Sequence, residues 1–196
     1  HAVQFPTRAG DGFDGIVDLV QQKCWIYDDE LGSRFHAEEI PAELQERATA
    51  LRDALIEAAV EHDDQALEKY VAGEALTEEE VRGAIRNATV AGKLFPVFCG
   101  SAFKNKGVQL LLDGVVDYLP SPIDVPPVTG HAPYAEGKVM TRRAEDGEPF
   151  SALAFKIMTD PYVGKLTFFR VYAGSILAGT HVLNATNGKR ERIGRL

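Results

Sequence analysis

The stretch from Phe95 to Pro122, FPVFCGSAFKNKGVQLLLDGVVDYLPSP, constrains the chain most, because an apolar run, a small-residue loop and a periodic apolar segment follow one another without a break. Phe95, Val97, Phe98 and Cys99 have the length and residue types of a strand buried on both faces of an α/β sheet, with Pro96 near its start. Gly100-Ser101-Ala102 then turns the chain. Val108, Leu111, Leu112, Val115, Val116 and Leu119 recur at helical spacing, and Pro120-Ser121-Pro122 ends that helix, since proline has no amide proton to give it. Strand, small-residue loop and helix in this order predict a site at the carboxyl edge of a parallel sheet.

The remaining sequence narrows the function classes. A chain of 196 residues with 45% hydrophobic content can bury a substantial core and suits one large or two small domains. No run approaches the roughly 18 apolar residues of a membrane helix, and His1 to Gly10 lacks the regions of a signal peptide, so the expected location is cytoplasmic, without a membrane partner. Cys24 and Cys99 are too few for a disulfide framework and read as buried thiols. His1, His36, His62, His131 and His181 show no paired spacing, which leaves metal binding and nucleophilic catalysis without candidates. The carboxylates fall on predicted solvated helix faces, so no general acid or base is assigned.

The formal net charge of -8 is unevenly spread. Between Asp28 and Glu80 acidic residues crowd the chain against only Arg34, Arg47, Arg52 and Lys69, and that half repels phosphate. From Ser151 onward Lys156, Lys165, Arg170, Lys189, Arg190, Arg192 and Arg195 face only Asp160 and Glu191, a balance suited to nucleic acid. Two solvated faces with no charged partner explain the same asymmetry, and both readings stand at this level.

Along the chain, Phe13 to Val20 ends in apolar and polar alternation and Lys23 to Tyr27 is rich in aromatic and branched residues, which predicts a hairpin or a bent ribbon turning near Gln21 and Gln22. Pro41 opens an amphipathic helix with Leu44, Ala48, Leu51, Leu55 and Ala58 on one face. Asp63 or Asp64 caps a short helix carrying Leu67, Tyr70 and Val71, stopped by Gly73. Thr77-Glu78-Glu79-Glu80 is a capping box for a third helix with Val81, Ala84, Ile85 and Ala88 inward and Gly92 at its exit. Three helices on a small sheet make an α+β unit. The prolines from Pro120 to Pro133 and the polar run from Glu136 to Glu148 predict a stiff linker and a surface excursion, hence a domain boundary. From Phe150 short strands are expected over 150–158, 166–172, 180–183 and 190–196, with a hairpin turn at Asn187-Gly188. Antiparallel strands over fewer than about fifty residues do not close a barrel, which suggests a piece of a longer protein.

Nucleotide chemistry receives one candidate. No G-x-x-x-x-G-K-[ST] phosphate loop is present, Gly164-Lys165 being followed by Leu166. Asp29-Glu30-Leu31-Gly32 matches D-x-x-G outside a strand-to-loop context, and Asn105-Lys106-Gly107 is followed by Val108 where a base-reading carboxylate must stand, so neither is retained. Gly100-Ser101-Ala102 is better placed, because an amide presented after a buried strand donates to a carbonyl such as guanine O6 and small side chains admit the base edge. A plain turn with Ser101 capping the next helix is the other reading of the same residues.

Pro96 to Gln109, Leu110 to Pro122, Ala152 to Ile157, Asp160 to Thr167 and Phe13 to Leu19, in this order, resemble the elongation factor G family of translational GTPases over nearly the whole chain. The resemblance implies an α/β (α+β) fold in which residues 1–92 are most of a subdomain inserted in a P-loop-type G domain. It further implies that 93–120 are that domain's last strand and helix, 121–149 a proline-rich linker and surface loop, and 150–196 the incomplete start of an antiparallel β-barrel domain. Ser101, Ala102 and Phe103 fall on the family's last guanine-contact motif, where the Ala102 amide helps to select guanine. The implied parent hydrolyses GTP with magnesium during ribosomal translocation and meets ribosomal RNA and the ribosomal stalk protein. The chain departs from that pattern in having no phosphate loop, switch segments or N-K-x-D, so by itself it is expected to be inactive and to bind no GTP tightly. Lys165, Arg170, Lys189, Arg190 and Arg192 are the RNA-contact candidates. A ribosomal protection or release-factor type GTPase, and a non-catalytic ribosome- or RNA-binding module, are the alternatives.

Overall fold

Successive side chains of a strand point to opposite faces, so Ile16-Val17 needs cover on both. In a computed structural model, which describes residues 1–133, 135 and 137–196, both are fully buried. Strand β1 (Gln4–Pro6), β2 (Gly15–Asp18), β3 (Lys23–Tyr27) and β4 (Phe35–Glu38) form an antiparallel sheet in that spatial order. The register sets Val17 beside Phe5 and Cys24, and Ile16 beside Trp25. The expected hairpin forms, and Asp18 closes it by accepting the amides of Val20 and Gln21, each at 2.9 Å, while Gln22 takes a positive φ of 54°.

The face bearing Val17 is covered by helices. Helix α1 (Ala42–Val60) buries Ala48, Leu55, Ala59 and Val60, and α3 (Glu78–Val90) buries all four predicted residues, Val81, Ala84, Ile85 and Ala88. The capping box at Thr77 is complete: the Glu80 amide donates to the Thr77 hydroxyl at 3.3 Å and the Thr77 amide donates to the Glu80 carboxylate at 2.9 Å. In α2 (Asp64–Val71), Asp63 caps as expected but the apolar side does not turn inward. Ala66 is buried, and Leu67, Tyr70 and Val71 are exposed. Asp63 also accepts from Asn87 of α3 at 2.8 Å, which ties the start of this short helix to α3.

The stretch from Phe95 differs most from its expected form. Phe95 and Val97 are 72% and 55% exposed, and the pairing there is one isolated parallel bridge between Ala2 and Val97. Apolar character marks what a strand can bury, and here a single neighbour covers it. Helix α4 (Val108–Tyr118) packs through Leu110, Gly114 and Tyr118, whereas Leu111, Leu112, Val115, Val116 and, just beyond the helix, Leu119 are exposed. The cause is the Phe98 ring, which fills the space a side chain at Gly114 would need: a Cβ there would lie 2.3 Å from Phe98 Cζ. Leu110 joins Ile16, Tyr27, Trp25 and Phe35 on the second face of the sheet.

Residues 1–119 form one unit and residues 120–196 a second. Among its described residues the second holds three two-stranded antiparallel sheets: β5 (Val128–His131) with β6 (Val139–Arg142), β7 (Ser151–Asp160) with β8 (Gly164–Ala173), and β9 (His181–Asn184) with β10 (Lys189–Arg192). The expected linker over 121–149 thus contains a strand pair, for which Val128 and Val139 to Met140 supply strand-forming residues. Glu136, where the polar excursion was expected to start, and Tyr134 lie outside the described residues. The Asn187-Gly188 turn forms with Gly188 at φ 70°, but its second strand ends at Arg192 rather than Leu196. The architecture is mixed α+β, and among the described residues no helix is long and apolar enough to cross a membrane.

Candidate functional site

The loop from Gly100 to Gly107 is built on two hydrogen bonds, from the Ser101 amide to the Lys106 carbonyl at 2.8 Å and from the Lys106 amide to the Ser101 carbonyl at 3.0 Å. Between them Asn105, at φ 52°, donates to the Ala102 carbonyl at 3.1 Å. Such a tight closure demands small residues at its neck. A Cβ on Gly100 would lie 2.7 Å from the Lys106 carbonyl oxygen, and one on Gly107 would lie 2.7 Å from that of Cys99.

The neck is held from beneath by the sheet. The Gly107 amide donates to the Tyr27 hydroxyl at 2.6 Å, and burial pushes the pKa of that phenol up while the amide contact draws it down. Lys106 is buried, with its ammonium 3.4 Å from the Phe13 carbonyl and 5.9 Å from the centre of the Tyr27 ring. Gly32 meets the loop from a second side, where a Cβ would fall 2.4 Å from the Asn105 carbonyl oxygen, and Gln109 donates to the Gly32 carbonyl at 3.2 Å. The turn carrying Gly32 is itself fixed by Asp29, which accepts from the Ser33 hydroxyl and from the amides of Ser33 at 2.9 Å and Arg34 at 3.2 Å. The Ser33 hydroxyl above all, and then the amides, hold the Asp29 carboxyl below its ordinary pKa. Burial pushes the Cys99 thiol, just before the loop, up to about 11, which leaves it protonated and unreactive at neutral pH.

A rigid base therefore carries an open tip. Ala102 is exposed and Phe103 is 98% exposed, while Ser101 is half-buried at the neck. The three candidate residues are adjacent, and the methyl group of Ala102 offers little side-chain obstruction at the tip. The alternative role for Ser101 as a helix cap does not hold, since α4 starts from Gly107 with no side-chain cap. Tyr27, Gly32, Lys106 and Phe13 are the supports the sequence did not reveal. No local spacing connects Tyr27 with Gly107, although Gly32 and Asn105-Lys106-Gly107 stand out in the sequence for motifs they do not serve.

The basic candidates lie on two sheets. Lys165 and Arg170 are on β8, and the Arg170 guanidinium lies 4.9 Å over the ring of Tyr172. Lys189, Arg190 and Arg192 are all exposed on β10, where strand alternation sets Arg190 and Arg192 on the face opposite Lys189. Glu191 between them accepts from Asn184 at 2.8 Å and Asn187 at 3.4 Å.

No family model matches the chain. A crystal structure of a protein from Thermus thermophilus is similar to it, with a TM-score of 0.70 and 27% identity over 98% of this chain. The chain spans 26% of that protein's length.

Proposed function

We propose that the chain is a segment of a translational GTPase of the elongation factor G type, in which the tip at Ser101, Ala102 and Phe103 meets the guanine end of GTP. On this reading residues 1–92 belong to the G-domain insert, 93–120 close the G domain and 150–196 begin the β-barrel domain. The observation that carries it is the pinned loop with an exposed tip. Base selection by a backbone amide requires that the amide neither swing away nor be shielded, and Tyr27, Gly32 and Lys106 supply that fixity. The resembling stretches lie on both sides of this loop, and the exposed apolar residues of α4 and of 95–97 suit burial against further parts of such a G domain.

Magnesium and the triphosphate would be held elsewhere in the parent protein, so this segment contributes base recognition and not hydrolysis. Ribosomal RNA and the stalk protein are the partners this reading assigns to the basic β8 and β10 and to the acidic helices. Translating the gene on both sides of the segment tests the proposal. A phosphate loop and an N-K-x-D motif upstream are expected, and an open frame that lacks both overturns it. For the isolated chain, calorimetry should show no micromolar affinity for GTP.

A further inference from the structure

Within residues 120–196 the proline-rich segment lies against β6 and β8 and encloses a cleft of about 50 Å³, whose walls include Pro126, Pro127, Val128, Arg142, Arg170 and Tyr172. Two arginines line this small space. The Nε of Arg142 is shut off from solvent and, among the described residues, has no hydrogen-bond partner, while its Nη1 donates to the neighbouring Thr141 carbonyl at 3.1 Å. Arg170 is stacked on Tyr172, which holds its plane without occupying its donors. Among the described residues no carboxylate pairs with either arginine, whereas the adjacent Arg143 faces Glu145 at 3.9 Å.

An enclosed N–H without an acceptor is costly, and a second positive charge in the same cleft adds repulsion. A cationic ligand would worsen both terms, and an apolar one would leave the donor unmet. An oxyanion relieves both, since its oxygens accept from the guanidinium fork and its charge offsets the pair. At roughly 10–15 Å³ for each water-sized position, the cleft has room for about three to five such positions, a size suited to one tetrahedral group.

We propose that Arg142 and Arg170 form a binding site for a phosphate group, taken either from free inorganic phosphate or from the backbone of RNA. The site stands on the geometry of this unit alone and does not depend on the GTPase reading. The test is a titration of the whole chain with inorganic phosphate at constant ionic strength, read by the side-chain N–H resonances of arginine. The Arg142 Nε–H signal should shift and saturate, and Arg142→Gln or Arg170→Gln should weaken the binding at least tenfold, while Arg143→Gln leaves it unchanged. A response to phosphate no larger than that to chloride, in the unmutated chain, overturns the site. Single-stranded RNA without terminal phosphates distinguishes the sources. Displacement of bound phosphate with the same Arg142 shift assigns the site to backbone phosphate, and phosphate binding that RNA does not disturb assigns it to the free anion.

Discussion

The sheet of the first unit and the β7–β8 hairpin of the second are both rich in apolar residues, yet their fates are opposite. Ile16 and Val17, neighbours on β2, are each covered, one by Leu110 and the aromatic cluster of Tyr27, Trp25 and Phe35, the other by α1 and α3. Leu153, Phe155, Ile157, Leu166, Phe168 and Val171 on β7 and β8 have comparable side chains and remain exposed. The difference is one of partners. A four-stranded meander with α1 and α3 on one face and Leu110 with the aromatic cluster on the other surrounds its central strand, while a two-stranded ribbon gives its residues few neighbours beyond those on the paired strand. The register slips at Phe155, between Ala154 and Lys156, so even the ribbon's own alternation is broken there.

The sharpest way to break this contrast is by truncation. Leu55→Ala, at a fully buried position on α1, should cost about 2–5 kcal/mol, and Leu153→Ala on β7 less than about 1 kcal/mol. Urea unfolding followed by Trp25, which is the single tryptophan and lies in the first unit, reads the former; backbone circular dichroism reads the latter. Equal losses at the two positions would mean that β7 is buried in solution. A smaller effect separates two glycines. Gly32→Ala places a Cβ 2.4 Å from the Asn105 carbonyl at φ 60°, and Gly137→Ala, at φ 76°, meets nothing within 4 Å among the described residues. Both incur the positive-φ strain of about 1–2 kcal/mol, and only Gly32→Ala should in addition raise hydrogen exchange across residues 101–107. Unchanged exchange in that loop would remove Gly32 from its supports.

The smallest effect concerns pH and again falls on the first unit. His36, at the edge strand β4, is hydrogen-bonded to Glu38 at 2.9 Å and Asp28 at 3.1 Å, and these bonds raise it above its ordinary 6.5. A raised value in the folded state means stability that is fully present below 6.5 and is lost as pH climbs through the folded value. The urea midpoint read by Trp25 should therefore fall slightly above pH 6.5, and His36→Gln should abolish that fall. An identical pH profile in the variant would assign it to another group.

Much of the fold was legible where local chemistry and tertiary packing agree. Thr77 and Glu80 begin α3 by mutual hydrogen bonds that need no distant partner, and its inward residues follow from 3.6-residue periodicity. The β2–β3 hairpin was legible for the same reason, since Asp18 closes its turn locally. Strands β1 and β4 were not singled out: β1 is three residues long and contains Pro6, and β4 alternates Phe35 with His36 and Glu38 at an edge. Of the candidate site, the turn at Gly100-Ser101-Ala102 was legible from its small residues, but its supports were not, because Tyr27 and Gly107 meet only after the sheet has formed.

The sequence alone determined the caps of α2 and α3, the hairpin turns, the mixed α+β character and the short loop after Cys99, all features in which each residue answers to neighbours a few positions away. The tertiary structure decided which apolar stripe of α4 faces inward, because one ring at Phe98 claims the space beside Gly114, and whether the run at Phe95 is covered, because burial depends on what lies across from it. It also decided that Arg142 and Arg170 share one cleft, since they come from two different hairpins and become neighbours only when the proline-rich segment lies against both.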